Sequence, residues 1–377
     1  MNRGLQRNIS PRAAALIILL VLAAVQAWWW RAFVWRPRIS SGRSMGPMTP
    51  MPPGPRLELG RGDVQVETVA GNPEPGAMDG LGRYARFDAP MGLALDAAGR
   101  LYVADSRNHR VRMILPDGRV DTLAGSSEGY ADGFADDARF RFPSGVAVDN
   151  SGCVYVADTG NHCIRKVFDG KVSTLAGGSR GFAAGKGTAA RFDTPTDVAL
   201  LHGPPPVLLV ADYGNRRIRR VTLDGVADSG EPCPGPPFRV TVSRTWEAAL
   251  PDVGMLFGPA SPPAAIATAV EGIRLRHPSI SLIVDTGETR PVRLLADAEQ
   301  GAVFLVRDGT AEVLAGGCQE PGNMLAWKDF SGERARFGRI GGMAMDRLGR
   351  VYVADTDANT IRRLRVPELL HRKDSLP

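Results

Sequence analysis

Short apolar segments alternate with turn signals over most of this chain. Segments such as "GLALD" at Gly92 and "GVAVD" at Gly145 alternate in polarity with a period of two, which is typical of β-strands. Each is followed by a tight turn, a β-rich segment such as "VYVAD", a second turn, and an Arg-containing segment such as "CIRKV". An Asp-Gly turn and a segment such as "KVSTLAG" complete the unit. The pattern predicts four short antiparallel strands in a meander.

The four-segment unit recurs along the chain. Each copy carries an Asp after its second segment, and these anchors are Asp105, Asp158, Asp212, Asp285 and Asp355, the fourth in a degenerate copy "SLIVDTGETRPVRLL". Self-similarity at a near-fixed period predicts a repeat protein, and radially repeated four-stranded sheets form a β-propeller. The predicted units cover about residues 72–125, 126–177, 178–230, 231–316 and 317–366. The long fourth unit contains either one blade with insertions, which we favour, or a hidden sixth blade.

The two ends of the repeat region complement each other. The segment "VQVETVAG" at residues 64–71 resembles the last strand of a unit, although it precedes the first complete unit. The final unit stops at "RRLRV" after only three strands. We therefore expect residues 64–71 to complete the last blade, which closes the ring within residues 63–366 and removes a free sheet edge.

A long apolar run precedes the repeats. After a basic segment at residues 1–12, Ala13–Trp30 contains no charge, and its apolar character continues to Trp35. This predicts one transmembrane helix or signal anchor at residues 13–35. A cleaved signal peptide and an organelle transit sequence are the alternatives. A Pro/Gly-rich linker at residues 36–62 follows, and residues 367–377 form a tail.

The predicted localisation follows from this run. We expect a single-pass membrane protein whose propeller lies on the non-cytoplasmic side. Cleavage of the N-terminal segment would instead give a secreted or organellar protein. Basic residues flank the run on both sides, so the positive-inside rule assigns no orientation.

The net charge of +6 comes entirely from the N-terminal region. Residues 1–56 contain eight Arg and no acidic residue, whereas the rest of the chain has 38 basic and 40 acidic residues. The repeat region is therefore close to neutral, which argues against nucleic acid as its partner.

The repeated segments resemble the NHL-repeat family, whose name reflects a tripeptide like Asn161-His162-Cys163. The resemblance rests on "VADTGNHCIR" followed by "TLAG", in five copies over roughly residues 64–366. It implies a β-propeller, usually with six blades, that serves as an interaction platform for proteins or RNA, or as a sensor domain outside a membrane. The wider fold also includes lactonases and a zinc-dependent lyase. Arg216, Thr289 and Asn359 replace the motif His in the last three copies, so a family role of that His is in doubt there.

The recurring polar residues have a structural interpretation. Asp and Asn accept local backbone N–H bonds and tolerate left-handed backbone, so the anchors and their Asn partners are expected to stabilise turns. The motif histidines occupy equivalent places in different blades and lack zinc-ligand spacing. We therefore predict no catalytic, cofactor-binding or metal-binding residue and no enzyme activity.

Two further sets recur with the units. The first set of arginines is Arg112, Arg165, Arg219 and Arg362, with Arg293 one position out of register. They would form either a positive ring for phosphate or, as we favour, bonds that tie each strand to a neighbouring blade. The second set is an Arg-Phe pair that ends each inter-unit loop, with Arg86, Arg141, Arg191 and Arg336 before Phe87, Phe142, Phe192 and Phe337. We expect these rings to pack between blades.

Loop lengths place the candidate interaction surface. The tight turns lie on one face of a propeller, whereas the turns after the second strand and the long inter-unit loops lie on the other. Long loops on a rigid scaffold are where function is usually displayed. The candidate residues on that face are Asn108, His109, Asn161, His162, Asn215, Arg216, Tyr130 and Asp132.

The predicted function is therefore non-catalytic binding of an unidentified protein or small ligand through this face. A propeller enzyme of the lactonase or lyase type and an RNA-binding platform are the alternatives. Cys153 and Cys163 should lie beyond disulfide reach of each other, and pairing of Cys233 with Cys318 stays open.

Overall fold

The computed structural model describes the repeat region. The described residues are 64–232, 237–241, 254–257, 278–284, 292–297, 301–307, 310–316, 329, 335–346 and 348–366. The predicted membrane segment, the linker, the tail and the pair Cys233 and Cys318 lie outside them. Within this part of the chain, no helix has the length and apolar character needed to cross a membrane. The chain divides into two compact units, Met1–Pro53 and Gly54–Pro377, and all the described residues belong to the second.

The described residues of the second unit form an all-β propeller with five blades, each a sheet of at least four strands. The first strand, β1 (Gln65–Gly71), belongs to the last blade. Blade 1 consists of β2 (Gly80–Leu81), β3 (Pro90–Leu95), β4 (Leu101–Asp105), β5 (Arg110–Ile114) and β6 (Arg119–Ala124). Blade 2 consists of β7 (Gly133–Phe134), β8 (Pro143–Val148), β9 (Val154–Asp158), β10 (Cys163–Phe168) and β11 (Lys171–Gly177).

Blade 3 has a divided outer edge. It consists of β12 (Gly185–Lys186), β13 (Pro195–Leu201), β14 (Val207–Asp212), β15 (Arg217–Thr222), β16 (Val226–Ala227) and β17 (Glu231–Pro232). A two-stranded sheet of β18 (Pro237–Thr241) and β19 (Gly254–Phe257) follows. Strand β18 lies against the blade 3 strand β13 on one side.

Blades 4 and 5 complete the ring. Blade 4 consists of β20 (Pro278–Val284), β21 (Val292–Asp297), β22 (Ala302–Arg307) and β23 (Thr310–Gly316). Blade 5 consists of β24 (Ile340–Met345), β25 (Val351–Asp355), β26 (Thr360–Arg365) and β1. Inner strands β3, β8 and β13 pack in succession, β18 packs against both β13 and β20, and β20 and β3 pack against β24. The two-stranded sheet thus lies between blades 3 and 4 in the ring of inner strands.

Strand β1 closes the ring at the outer edge of blade 5. It pairs antiparallel with β26, from Gln65 opposite Arg365 to Gly71 opposite Thr360. The first described strand therefore supplies the fourth strand that the last repeat lacks.

The fourth repeat is aligned differently from the sequence prediction. The segment around Ser281 belongs to the inner strand β20, and Asp285 after it lies outside the described residues. Arg293 lies in the next strand, β21, and is therefore not the equivalent of the repeated arginines. Asp297, at the end of β21 and fully buried, takes the anchor position. In the register of β22 with β23, Phe304 takes the place of the repeated Arg. The prediction was wrong here because "SLIVDTG" resembles in sequence the second strand of a unit, although it belongs to the first strand of blade 4.

Two faces of the propeller are used below. The hairpin face carries the tight turns after the first and third strands, such as residues 149–152 and 169–170. The turn face carries the turns after the second strand, at residues 106–109, 159–162, 213–216 and 356–359.

The inter-blade loops begin and end at the turn face, but their tips lie elsewhere. Phe134 in β7 pairs with Lys171, the first residue of β11, and the Ala135 N–H bonds Gly170 O at the hairpin face. The loops therefore run along the outer edge of each blade, and they do not all add surface to the turn face.

Candidate functional site

Each intact repeat contains a buried ion pair behind its turn. In blade 2, Asp158 ends β9 and Arg165 lies in β10, and neither side chain is exposed to solvent. Arg165 Nη1 donates to Asp158 Oδ2 at 2.8 Å. The equivalent pairs are Asp105–Arg112, Asp212–Arg219 and Asp355–Arg362.

The arginine also holds the inter-blade loop that leads into its own blade. Arg165 donates to the carbonyl oxygens of Arg139 and Ala131, at 3.0 and 2.6 Å, and to Asp132 Oδ1 at 2.6 Å. The predicted tie to a neighbouring blade is therefore wrong in its partner, because the bonded groups belong to the loop of the same blade. Full burial also rules out the alternative of an exposed phosphate-binding ring for these four arginines.

The Asn residues of the turns complete this network. Asn161 Nδ2 donates to Asp158 Oδ2 at 2.9 Å and to Gly129 O at 2.7 Å. Asn108 and Asn215 make the same two kinds of bond in blades 1 and 3. These amides are engaged inside the protein and fix the loop to the turn.

Burial dominates the ionisation of the anchors. Loss of hydration raises the pKa of Asp105 to about 6, against the opposing effect of Arg112 and Asn108. Burial raises the pKa of Asp355 to about 6 as well, although Arg362 favours its charged form. The pKa values of Asp158 and Asp212 are raised by the same cause. The anchors therefore ionise only because each has an arginine and backbone donors around it.

An aromatic ring packs on each buried guanidinium. The rings are Phe87, Phe140, Phe192 and Phe337, at 4.4 to 5.1 Å from the arginine carbons to the ring centroids. Each ring also belongs to a core that joins two blades, such as Ala157 and Ile164 of blade 2 with Val210 of blade 3 around Phe192. This confirms the prediction that Phe87, Phe192 and Phe337 pack between blades.

The aromatic residue of blade 2 was misaligned in the prediction. Phe140 is fully buried on Arg165, whereas Phe142 is 43% exposed. The buried Ala that precedes each Arg-Phe pair would have given the right register, since Ala85, Ala138, Ala190 and Ala335 are all inaccessible. The run "ARFRF" contains two candidates, and only the first follows such an Ala.

A glycine makes room for each ring at the end of the preceding outer strand. Gly177 has φ +93°, and a Cβ there would lie 2.8 Å from Phe192 Cδ2 and 2.6 Å from His162 O. Any side chain would meet backbone as well as ring, so the "LAG" signature reports a close approach between blades.

The motif histidines bind the next blade. His162 has φ +54°, and its Nδ1 accepts the backbone N–H of Thr194 at 3.0 Å. His109 accepts the N–H of Phe142 in the same way at 3.2 Å. We call this contact a junction hydrogen bond, because it joins the turn of one blade to the residue before the first Pro of the next inner strand. Burial lowers the pKa of both histidines below the usual value of 6.5.

Replacement of the motif His has different consequences in the last blade and in blade 3. Asn359 preserves the junction hydrogen bond, since its Oδ1 accepts the N–H of Ala89 at 2.9 Å. Arg216 occupies the left-handed position in blade 3 but has no acceptor atom in its side chain. The doubt raised by the missing His is therefore resolved in favour of the same role for Asn359.

Hydroxyl groups make a second set of contacts between blades. Thr159 Oγ1 donates to Pro195 O at 2.8 Å, and Thr356 Oγ1 donates to Pro90 O at 2.7 Å. Ser144 Oγ lies 2.6 Å from Thr196 O. Sequence reasoning missed these contacts, because a hydroxyl at a turn is not distinguishable from one that stabilises the turn itself.

The predicted interaction residues fall into two groups. The turn face brings together the Asn, His and Arg members of the set, namely Asn108, His109, Asn161, His162, Asn215 and Arg216. Tyr130 and Asp132 lie apart from them at the outer edge of blade 2, where both bond Thr174 Oγ1 in β11. Tyr130 is half-exposed, and its ring centroid lies 5.0 Å from the Arg165 guanidinium carbon.

In two ion pairs of the turn face the guanidinium group is much more exposed than the carboxylate. Arg107 is 65% exposed beside Asp88, which is 29% exposed. Arg180 is 73% exposed beside Asp193, which is 15% exposed. In these two pairs the carboxylate is the less exposed partner, and the guanidinium group extends into solvent. No local sequence feature indicates this difference, because the acidic and basic residues alternate within the same loops.

The remaining candidates are the described cysteines and the possible metal ligands. Cys153 and Cys163 are buried free thiols, and burial raises the pKa of both. Among the described residues, no three His, Cys, Asp or Glu side chains are grouped so that they could hold a metal ion.

Comparisons with known proteins agree with this architecture. The protein-family model described as NHL repeat matches residues 87–112 and 140–167 of this chain. The chain is 29% identical over 282 residues to NHL repeat-containing protein 2 of Bos taurus, an alignment that covers 70% of this chain and 37% of the relative. A shorter match, 36% identical over 94 residues, covers 24% of this chain and 9% of the protein SUPPRESSOR OF QUENCHING 1, chloroplastic, of Arabidopsis thaliana. The chain thus spans about a third of the first relative and much less of the second.

One solved structure has the same fold over most of both chains. It is a gluconolactonase from Xanthomonas campestris, with a TM-score of 0.51 and 16% identity, and the match covers 85% of this chain and 98% of that chain. At this identity the similarity concerns the fold alone.

Proposed function

Because this chain belongs to the NHL-repeat family of β-propellers, we propose that it is a non-catalytic binding platform whose turn face takes an acidic protein segment. The observation that carries this proposal is the difference in exposure between Arg107 and Arg180 and their carboxylate neighbours. Exposed guanidinium groups on a rigid surface attract carboxylates and can bind them in a bidentate manner.

Rigidity of the turn face supports the proposal. In blades 1 and 2 the Asn side chains and the junction hydrogen bonds hold the turn to its loop and to the next blade. Side chains that start from such a fixed backbone lose less conformational entropy on binding. Phe142 and Phe182 are partly exposed, with the Arg217 guanidinium carbon 4.9 Å from the Phe182 ring centroid, and they add apolar contact area.

A peptide is favoured over RNA by the composition of the surface. The turns and loops that carry the arginines also carry Glu74, Glu128 and Asp357, so a continuous phosphate backbone would meet both signs of charge. A short acidic segment needs only two or three cationic contacts. The near-neutral charge of the repeat region points the same way.

We test this with the full-length protein and a fluorescent peptide of alternating Glu and Phe. The turn-face variant carries Arg107→Ala, Arg180→Ala and Arg216→Ala. The control variant removes three exposed cations near the hairpin face, through Arg119→Ala, Lys171→Ala and Lys186→Ala. Fluorescence anisotropy should show about tenfold weaker binding for the turn-face variant and little change for the control.

The comparison ligands decide among the alternatives. A peptide with Gln in place of Glu should bind weakly if carboxylates are recognised. Stronger, salt-dependent binding of single-stranded RNA would favour the RNA-platform alternative. Equal effects of the two variants would remove the turn face from the proposal.

We further propose that the apolar segment at residues 13–35 tethers the propeller to a membrane. Its length and its flanking Trp residues support this. Resistance of the protein to alkaline extraction, with a C-terminal tag protected from protease on intact membranes, would place the propeller on the non-cytoplasmic side. Release by alkali would contradict the tether without affecting the binding proposal.

A further inference from the structure

Two of the three junction hydrogen bonds depend on an imidazole nitrogen. His109 and His162 accept through Nδ1, whereas Asn359 accepts through an amide oxygen. An imidazole nitrogen accepts a hydrogen bond only while it is unprotonated, but an amide oxygen accepts at any physiological pH. The junction hydrogen bond is therefore acid-sensitive at His109 and His162 and insensitive to acid at Asn359.

Each histidine has a carboxylate oxygen 3.9 or 4.0 Å from one of its ring nitrogens. For His162, Asp193 Oδ1 lies 3.9 Å from Nδ1, and this carboxylate favours protonation. Burial opposes protonation most strongly, and Arg180 and Arg141 act in the same direction as burial. A protonated His162 would lose the Thr194 N–H and gain Asp193.

The surroundings of His109 follow the same plan. Glu128 Oε2 lies 4.0 Å from Nε2 and favours the charged form, as does Asp88 to a smaller extent. Burial and Arg141 oppose it. The ring of Phe142 packs edge-on against the imidazole, with centroids 4.8 Å apart. The alternative partner is again an acidic side chain at the turn face.

The backbone held by these bonds is strained. Phe142 has φ +47° and Thr194 has φ +53°, in the left-handed region that aromatic and β-branched residues avoid. Such a conformation persists only where the surrounding contacts enforce it. Each of these residues precedes the Pro that begins an inner strand, so the junction hydrogen bond fixes how the chain enters the next blade.

We propose that His109 and His162 form an acid-sensitive switch at the junctions of blade 2 with blades 1 and 3. Protonation breaks both junction hydrogen bonds, turns the imidazolium groups toward Glu128 and Asp193, and releases Phe142 and Thr194 from their strained backbone. The Asn359 junction stays closed and keeps the ring intact.

The consequence for binding rests on the proposed function. Asp193, Arg141 and Phe142 belong to the turn face, so the switch rearranges the surface proposed to take an acidic segment. We therefore expect acid to weaken peptide binding without unfolding the propeller.

The test is residue-resolved hydrogen exchange of the full-length protein in detergent, at pH of about 5.5 and about 7.5, corrected for intrinsic exchange rates. The amides of Phe142 and Thr194 should lose about fivefold in protection at the lower pH, as expected for one net hydrogen bond. The amide of Ala89 should show no loss and serves as the control within the same molecule.

A double variant, His109→Asn with His162→Asn, supplies the second control. Asn359 already shows that Asn fits this position, with φ +54° and the acceptor in place. Protection of Phe142 and Thr194 in the variant should no longer depend on pH. Persistence of the pH effect in the variant, its absence in the wild type, or an equal loss at Ala89 would overturn the switch.

Peptide anisotropy at both pH values separates the switch from its consequence. Acid-weakened binding in the wild type, absent from the double variant, supports the link to the turn face. A pH-dependent loss of exchange protection with unchanged peptide affinity would support the switch but contradict its link to peptide binding.

Discussion

Blades 2 and 3 carry closely similar repeats and are built differently at their edges. Blade 2 has a seven-residue outer strand, a second carboxylate on its buried arginine, and a histidine that binds the next blade. In blade 3 the outer strand is divided into β16 and β17, Ala184 stands where Asp132 stands in blade 2, and Arg216 replaces the histidine.

The buried center of the repeat survives these changes. Arg219 still bonds Asp212, although at 3.3 Å, and its Nε donates to Asp228 O in the bulge between the two outer strand pieces. Its ring partner Phe192 is 4.4 Å from the guanidinium carbon. The comparison shows that the buried anchor, arginine and ring are sufficient to hold a blade, while the outer edge and the junctions vary.

The largest expected effect comes from removing the arginine in each blade. Arg165→Met should cost about 3 to 5 kcal/mol of unfolding free energy, because Asp158 is left buried without its partner. Arg219→Met should cost less, because its contact with Asp212 is longer. Urea unfolding followed by circular dichroism measures both, and Lys166→Met is the control. Equal losses would show that the outer edge does not tune the pair.

Replacing the buried aromatic ring of blade 2 should reduce stability by a smaller amount, and a nearby Phe supplies a matched control. Phe140→Leu should cost about 1 to 2 kcal/mol, since part of a fully buried ring is lost from the core between blades 1 and 2. Phe142→Leu, two residues later, should change stability by less than about 0.5 kcal/mol because that ring is partly exposed. Thermal unfolding measures the difference, and the opposite ranking would contradict the alignment of Phe140 with Phe192.

The junction histidines should make stability depend on pH. Their pKa values are lowered in the folded state, so the unfolded chain binds more protons as the pH falls below its value of about 6.5. The stabilisation is complete above that pH and is lost as the pH falls through the folded pKa values. We expect the wild type to lose stability between pH 7.5 and pH 5 relative to the His109→Asn and His162→Asn double variant, and the loss should be small because both imidazoles are partly exposed. Parallel pH profiles of the two proteins would contradict this.

The smallest expected effect is an increase in stability. Ala184→Asp places a carboxylate beside Arg219 at the position of Asp132, which should stabilise blade 3 by about 0.5 kcal/mol. The pair is partly exposed in blade 2, so a larger gain is not expected. Ala184→Asn keeps the shape without the charge and is the matched control. Urea midpoints at low and high salt should differ only for the Asp variant.

The sequence was sufficient for the strand pattern but not for the contacts that hold it. Short apolar segments separated by turn residues, including Asp-Gly, locate β8 to β11 in blade 2. The same signal failed for "SLIVDTG", because inner strands and second strands have similar apolar composition. Only the pairing of β20 with β21 and of β22 with β23 shows that Asp297 and Phe304 hold the positions of the anchor and the repeated arginine.

The candidate site shows a second limit. Asn161 and His162 were recognised as recurring residues, but recurrence does not reveal which atom accepts a bond from a residue 32 positions away. The exposure of Arg107 and Arg180 depends on where their carboxylate neighbours turn, which is a property of the assembled loops. Contacts between blades are long-range in sequence, and no local pattern encodes them.

The closure of the ring by β1 has a consequence for biosynthesis. Residues 65–71 are synthesised before any other strand of the propeller, yet their partner strand at residues 360–365 is made nearly three hundred residues later. Until then β1 has no partner, and blade 5 exposes an unpaired edge as it emerges. The ring can therefore close only after the last blade has been made.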